Sequence, residues 1–192
     1  MTQTFIHRFE HAVRSICPDI QARVTTPRRD KIDDRSLWWE LSCCILSSQV
    51  PYPVATAAAD AIELAELLLA KECDLDELVT ALEEVLTHRV VVGGRSVRYR
   101  FPGSRARQLA AAYSTVHQRD ASLSNLLASF SDASQTRRWL VYNVPGVGPK
   151  QASMFLRNVG ITYSLAILDR HVLKYMSALG ISDYTQPFVS GM

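Results

Sequence analysis

Lysine is scarce in this chain. Only Lys31, Lys71, Lys150 and Lys174 stand among 21 basic side chains in 192 residues. The other cations are Arg, whose planar fork suits phosphate, so a lysine at a special place asks for a reason other than charge. Long apolar runs are missing too. No stretch of about 18 apolar residues occurs, which excludes a helical membrane span. The first residues, Met1-Thr2-Gln3-Thr4-Phe5-Ile6-His7-Arg8, lack the basic-then-apolar order of a secretory leader, and a cytoplasmic location is expected, on the nucleoid if the source is prokaryotic. The four cysteines, Cys17, Cys43, Cys44 and Cys73, have neither zinc-ligand spacing nor the look of a disulfide framework. Buried, reduced thiols and no bound metal are expected. Repeats and low-complexity tracts are absent.

What is present is enough apolar material for a core, 47% of the residues, with 21% charged. Disorder is therefore not the default. The formal net charge of +2 conceals a division. Residues 1–84 hold 8 basic and 15 acidic side chains, net −7, whereas residues 85–192 hold 13 and 4, net +9. Such asymmetry points to a polyanion-facing surface in the second half. Arg89, Arg95, Arg98, Arg100, Arg105 and Arg107 crowd together with Tyr99 and Phe101 between them and no acidic residue. A run of this kind suits sequence-independent, salt-sensitive phosphate contacts.

The periodicity is helical almost throughout, and the fold class is all-α with short connections. Phe5, Phe9, Ala12, Val13 and Ile16 recur at helical spacing up to Pro18, and residues 19–35 read as a loop. Ser36 is the expected cap of a helix ending near Gln49, before Pro51. Residues 53–70 continue as helix. Asp74 with Glu77, and Asp132 with Gln135, have capping-box spacing. Ser104 and Ser122 are expected to cap two more helices. Residues 87–103 break the pattern; Val90-Val91-Val92-Gly93-Gly94 has strand character but no evident partner, so the segment is expected to be a loop.

Residues 135–160 carry the strongest signal. A helix runs to about Asn143, the tight Val144-Pro145-Gly146-Val147-Gly148-Pro149 follows, and a second helix places Ala152, Phe155, Leu156 and Val159 on one face. Glycines grant a sharp turn. They also let peptide amides approach an anion at a helix N-terminus, where unpaired donors and the dipole favour phosphate. Pro149 fits the first helical position. A nucleotide-binding P-loop is excluded, because its longer Gly spacing and following Ser/Thr are missing.

Pro145-Gly146-Val147-Gly148-Pro149-Lys150 resembles the hairpin of helix–hairpin–helix DNA glycosylases. The resemblance implies a phosphate grip by Val144, Gly146, Val147, Gly148 and Lys150, often with a monovalent cation at the hairpin carbonyls. Members with lyase activity carry a Lys just after the second Gly, matched by Lys150, and an essential Asp opening a later helix, matched by Asp169 in Ile167-Leu168-Asp169-Arg170-His171. The separation of 19 residues is that of the 8-oxoguanine glycosylase branch. Phe155-Leu156-Arg157-Asn158-Val159-Gly160 adds a likeness to its compact archaeal-type family. Leu46-Ser47-Ser48-Gln49 resembles a segment in which the Gln enters the gap left by a flipped base. No cysteines follow Asp169, so the iron–sulfur cluster of the endonuclease-III-like branch is not expected, and no cofactor is. The chain ends at Val189-Ser190-Gly191-Met192, where the compact family usually continues and encloses the damaged base, so the resemblance says more about the chemistry than about the base.

The implied protein is a single helix–hairpin–helix domain over residues 1–192, two-lobed with a central cleft. It is expected to be a monomer acting on double-stranded DNA with a damaged or modified base. It excises 8-oxoguanine through a Lys150 Schiff base, assisted by Asp169, and nicks the strand by β-elimination. Two alternatives stand: the same chemistry on another modified or deazapurine base, and a noncatalytic DNA-binding module, which would need neither Lys150 nor Asp169.

Overall fold

The computed structural model describes residues 33–70 and 73–180, together with scattered helical positions between His7 and Gln21. By internal contacts the chain divides into two compact units, Lys31–Ile167 and a second made of Met1–Asp30 with Leu168–Met192. Of the apolar positions expected on the first helix, Phe5, Phe9, Ala12, Val13 and Ile16 lie outside the described residues. The described neighbours are helical and include Pro18 and Gln21, so Pro18 does not end the segment. A proline removes one amide and one carbonyl contact, which can kink a helix without stopping it.

The first unit is built from α1 (Asp34–Leu46), α2 (Tyr52–Leu64), α3 (Leu75–Thr87), β1 (Arg89–Val92), β2 (Arg95–Arg98), α4 (Pro102–Arg119), α5 (Leu123–Ala128), α6 (Ala133–Asn143) and α7 (Pro149–Asn158). Local chemistry sets most starts. Asp74 accepts the Asp76 and Glu77 amides, Ser122 the Asn125 amide and Asp132 the Gln135 amide. Each satisfies donors that a helix start leaves without intrahelical partners. Two starts differ from expectation. Asp33, not Ser36, caps α1, its Oδ1 accepting the Ser36 amide at 2.7 Å. α4 opens at Pro102, and Ser104 lies inside its first turn.

α1 is the central element. Leu37, Trp38, Leu41, Cys43, Cys44, Ile45 and Leu46 are all buried, and α2, α4, α5 and α7 pack on it. Trp38 stacks on His117 and tilts against Tyr113, with centroids 6.2 and 5.9 Å away, so it is a core residue. Cys43 and Cys44 are buried, and burial pushes both thiols far above the ordinary range, which keeps them inert as nucleophiles. Cys17 and Cys73 are exposed, contrary to the expectation that all four thiols are buried.

The expected loop over 87–103 contains an antiparallel hairpin that pairs Arg89 with Arg98 and Val90 with Val97. Gly93 and Gly94 turn it with φ of +56° and +75°. Two central residues with positive φ are what a two-residue turn demands if it is to match strand twist. Val90, Val92 and Val97 pack against the core. The second unit contributes α8 (Arg170–Ala178). No helix among the described residues is long and apolar enough to cross a membrane.

Candidate functional site

The segment 133–158 forms two helices around a tight turn. Val144 N–H donates to the Leu140 carbonyl at 3.0 Å, ending α6, and Val147 N–H donates back to the Val144 carbonyl at 3.1 Å. Val144 and Val147 are buried and anchor the turn, while Pro145 between them is exposed. Arg137 Nε donates to the buried Ser153 hydroxyl at 2.8 Å and ties the two helices together. Phe155 and Leu156 fill the space beneath.

The two glycines of the turn do different work. Gly146 has φ of +84°, and a Cβ there would lie 2.7 Å from Gln108 Oε1 and 3.2 Å from Ile45 Cγ2. It must be glycine for conformation and for close packing on α4 and α1. Gly148 has φ of −89° and ψ of −179°, which any residue adopts. It caps α7 without a side-chain hydrogen bond, and Pro149 follows at the first helical position. A Cβ here would lie 3.1 Å from Gln151 Oε1, the far end of a flexible side chain. Glycine thus keeps the approach to the helix N-terminus narrow and free of a side chain of its own, where amides and dipole favour an anion. Gly146→Ala is expected to cost about 1–3 kcal/mol of stability and to weaken duplex binding. Gly148→Ala should cost less, about 0.5–1 kcal/mol, because Ala is a poorer cap than Gly but needs no unusual backbone. Denaturant midpoints and duplex titrations of the two variants check both.

Lys150 is half-buried in the first turn of α7. Asp169 is half-buried and caps α8, its Oδ1 accepting the His171 and Val172 amides, each at 2.9 Å. The capping bonds fix the carboxylate's orientation. His171 is exposed.

Gln49 is exposed on the turn between α1 and α2 with φ of +62°, a left-handed conformation uncommon outside glycine. Two side chains hold the turn. Tyr99 Oη donates to the Leu46 carbonyl at 2.8 Å, and Arg105 Nη2 donates to the Ser48 carbonyl at 3.1 Å. Burial pushes the Tyr99 phenol up to about 12, with the neighbouring Arg105 guanidinium opposing the rise, so the hydroxyl remains a donor at neutral pH.

The arginine run separates in the same way. Arg89, Arg95, Arg98, Arg100 and Arg107 are exposed. Arg89 and Arg98 face each other across the hairpin, a like-charge pairing that costs stability unless an anion sits nearby. Arg89 is also fixed by Nε to the Ser96 hydroxyl at 2.7 Å and Nη2 to the Ser96 carbonyl at 2.8 Å. Arg105 departs from the expectation of a DNA-facing side chain. It is buried on the core face of α4 and bonds to Gln108 Oε1 as well as Ser48. Its partners were missed in the sequence, although its spacing of four from Leu109 places it on that helix's apolar face.

The chain matches the Ogg-HhH family, described as 8-oxoguanine DNA glycosylase, over residues 20–190. It is 31% identical over 153 residues to the 8-oxoguanine DNA glycosylase/AP lyase of Sulfurisphaera tokodaii, covering 78% of this chain and 65% of that protein. The enzyme of the same name from Korarchaeum cryptofilum is 30% identical over 164 residues, covering 85% and 68%. The crystal structure of the 8-oxoguanine DNA glycosylase of Thermotoga maritima superposes with a TM-score of 0.62 at 28% identity, over 99% of this chain and 80% of that one. The Methanocaldococcus jannaschii 8-oxoguanine glycosylase/lyase, crystallised with a 15mer DNA containing 8-oxoguanine, shares the fold with a TM-score of 0.64 at 24% identity, over 98% and 81%. With its helix–hairpin–helix anchored by buried Val144 and Val147 and its family match across most of its length, the chain belongs to the 8-oxoguanine DNA glycosylase family of all-α helix–hairpin–helix proteins.

Proposed function

We propose that this protein is a bifunctional DNA glycosylase/AP lyase that removes 8-oxoguanine from duplex DNA and nicks the strand. The observation that carries the reading is the helix–hairpin–helix turn delivering Lys150 two residues after Gly148, in the first turn of α7, in a chain of the 8-oxoguanine glycosylase family. The Val144 and Val147 amides, expected to join the phosphate grip, are taken up inside the motif, and Pro145 has none. The grip therefore falls to the Gly146 and Gly148 amides at the start of α7, and exposed Arg89, Arg95, Arg98, Arg100 and Arg107 add charge. The monovalent cation associated with such hairpins would lie on the turn's carbonyl oxygens. The Val144 carbonyl accepts the Val147 amide and keeps a second lone pair for it. Such a cation would add positive charge beside the phosphate.

A base stacked in a duplex is out of reach, so the nucleotide is flipped out, with Gln49 entering the vacated space. The Lys150 amine, in its neutral form, attacks C1′ and the C1′–N bond forms. The glycosidic bond breaks with its electron pair leaving on the base, which takes up a proton. The sugar ring opens as the nitrogen lone pair forms the C=N bond and the C1′–O4′ pair leaves on O4′, which takes up a proton, giving a protonated Schiff base. Loss of a C2′ proton then expels the 3′-phosphate and nicks the strand. Asp169 stabilises positive charge developing at the sugar and assists proton movement. The protein acts as a monomer without an iron–sulfur cluster or other cofactor.

The test is a panel of duplexes carrying 8-oxoguanine, other oxidised or alkylated purines, a deazapurine, or no lesion, with released bases separated by chromatography. Release of 8-oxoguanine ahead of the others is expected. Preferential release of a different base would redirect the substrate, and binding without release of any base would leave a DNA-binding module. Substituting Arg89 and Arg98 by Gln should make the slope of log K against log salt less steep by about 2. An unchanged slope would place them off the DNA.

A further inference from the structure

Gln49 holds an energetically unfavourable backbone conformation on an exposed turn, and such a conformation persists only where the surroundings determine it. The determinants here come from one short stretch of chain, Tyr99 to Gln108. Leu46 closes α1, so its carbonyl has no partner within that helix; the Tyr99 hydroxyl supplies one at 2.8 Å. Two residues on, the Ser48 carbonyl receives Arg105 Nη2 at 3.1 Å. Arg105 is buried, and no carboxylate among the described residues lies within ion-pairing distance of it. Its charge is balanced instead by carbonyls at the negative end of α1 and by the face of Phe101, 5.8 Å away. The same guanidinium holds Gln108 Oε1. That oxygen fills the space where a Cβ on Gly146 would stand. Hydrogen bonds therefore run from the Gln49 turn through Arg105 to Gln108, and Gln108 packs directly on Gly146 of the hairpin, wholly inside the Lys31–Ile167 unit.

We propose that Tyr99 and Arg105 are positioning residues that lock the Gln49 turn in register with the hairpin, so that the side chain entering the duplex and the amides holding the phosphate form one rigid template. The proposal rests on the glycosylase reading. Neither residue needs to touch DNA. Their work is to ensure that gripping the backbone at 144–148 brings Gln49 to a fixed place in the base stack. Without the lock the turn would relax toward ordinary backbone conformations, and the grip and the inserted side chain would lose their common frame.

The test uses the full chain and a duplex with 2-aminopurine beside 8-oxoguanine, whose fluorescence rises on unstacking. Tyr99→Phe removes only the hydroxyl and keeps the ring in the core. It is expected to lower the flipping amplitude about five- to tenfold, the effect of one lost hydrogen bond to a buried carbonyl. Gln49→Ala should do at least as much, and the double variant should be no worse than Gln49→Ala alone, because both changes act on one step. A preformed abasic site has no base to unstack, so borohydride trapping there should change less than about twofold, the flipping cost being already removed. A general loss of structure would lower trapping and flipping together. Arg105→Lys is the second variant, keeping the charge while losing the fork, with the same pattern expected. Flipping by Tyr99→Phe and Arg105→Lys equal to wild type, with Gln49→Ala impaired, overturns the lock. Wild-type flipping by Gln49→Ala overturns both the lock and the role of Gln49. A wild-type protein that neither flips the base nor traps an abasic site overturns the glycosylase reading and the lock with it.

Discussion

Replacing Lys150 with Gln is expected to abolish strand nicking, with a loss of at least about 10³-fold, or about 4 kcal/mol in barrier. Duplex affinity should fall only slightly. The expected contrast comes from the position. Lys150 is half-buried in the first turn of a helix whose start is set by Gly148 and Pro149, and Gln is a comparably good helix former. The fold and the turn should therefore survive. One side chain among 21 basic ones contributes a single phosphate contact at most. A nucleophile has no substitute, since a water cannot remain attached to C1′ as a Schiff base and set up elimination. Single-turnover cleavage of an 8-oxoguanine duplex, run beside a binding titration, separates the two effects. A variant that nicks at near wild-type rate would remove Lys150 from the chemistry.

The second large effect is expected at Asp169. Asp169→Asn should slow base release by at least about 10²-fold, or about 2.7 kcal/mol, with affinity for the lesion duplex maintained. The choice of Asn matters because Asp169 is observed as the cap of α8, with Oδ1 held by two amides at 2.9 Å. Asn caps about as well as Asp, so the helix start is retained and only the negative charge is lost. Asp169→Ala removes both, adding about 1 kcal/mol of lost stability to the same loss of turnover. If Asn restores full turnover where Ala does not, the residue acts by capping alone. If both variants are slow, the charge is what the reaction uses.

Local signals made the helices and the hairpin legible in the sequence. Asp74, Ser122 and Asp132 announce helix starts because a side-chain acceptor next to bare amides is a short-range requirement. Gly146 announces the turn because φ of +84° excludes most other residues. The β-hairpin was harder to see. Its second strand offers only Val97 to the core beside Arg95, Ser96 and Arg98, so alternation is weak, and the informative pair was Gly93-Gly94. The role of Arg105 was hidden for a similar reason. It stands two residues from Arg107 in a basic run, yet it belongs to the buried face of α4, where its partners come from Ser48, 57 residues away, as well as from Gln108. Which carbonyls a buried guanidinium meets depends on long-range packing, and no spacing rule states it.

The most direct measurement is to locate the covalent bond itself. Reducing the reaction with borohydride on an 8-oxoguanine duplex, digesting the adduct and sequencing the modified peptide by mass spectrometry gives the attachment site. With only Lys31, Lys71, Lys150 and Lys174 available, the outcomes are few and well separated. The account predicts the sugar fragment on the Nζ of Lys150, in the peptide that begins after Arg138. A fragment on another lysine or on an N-terminal amine, or no adduct with a protein that still releases the base, would contradict it.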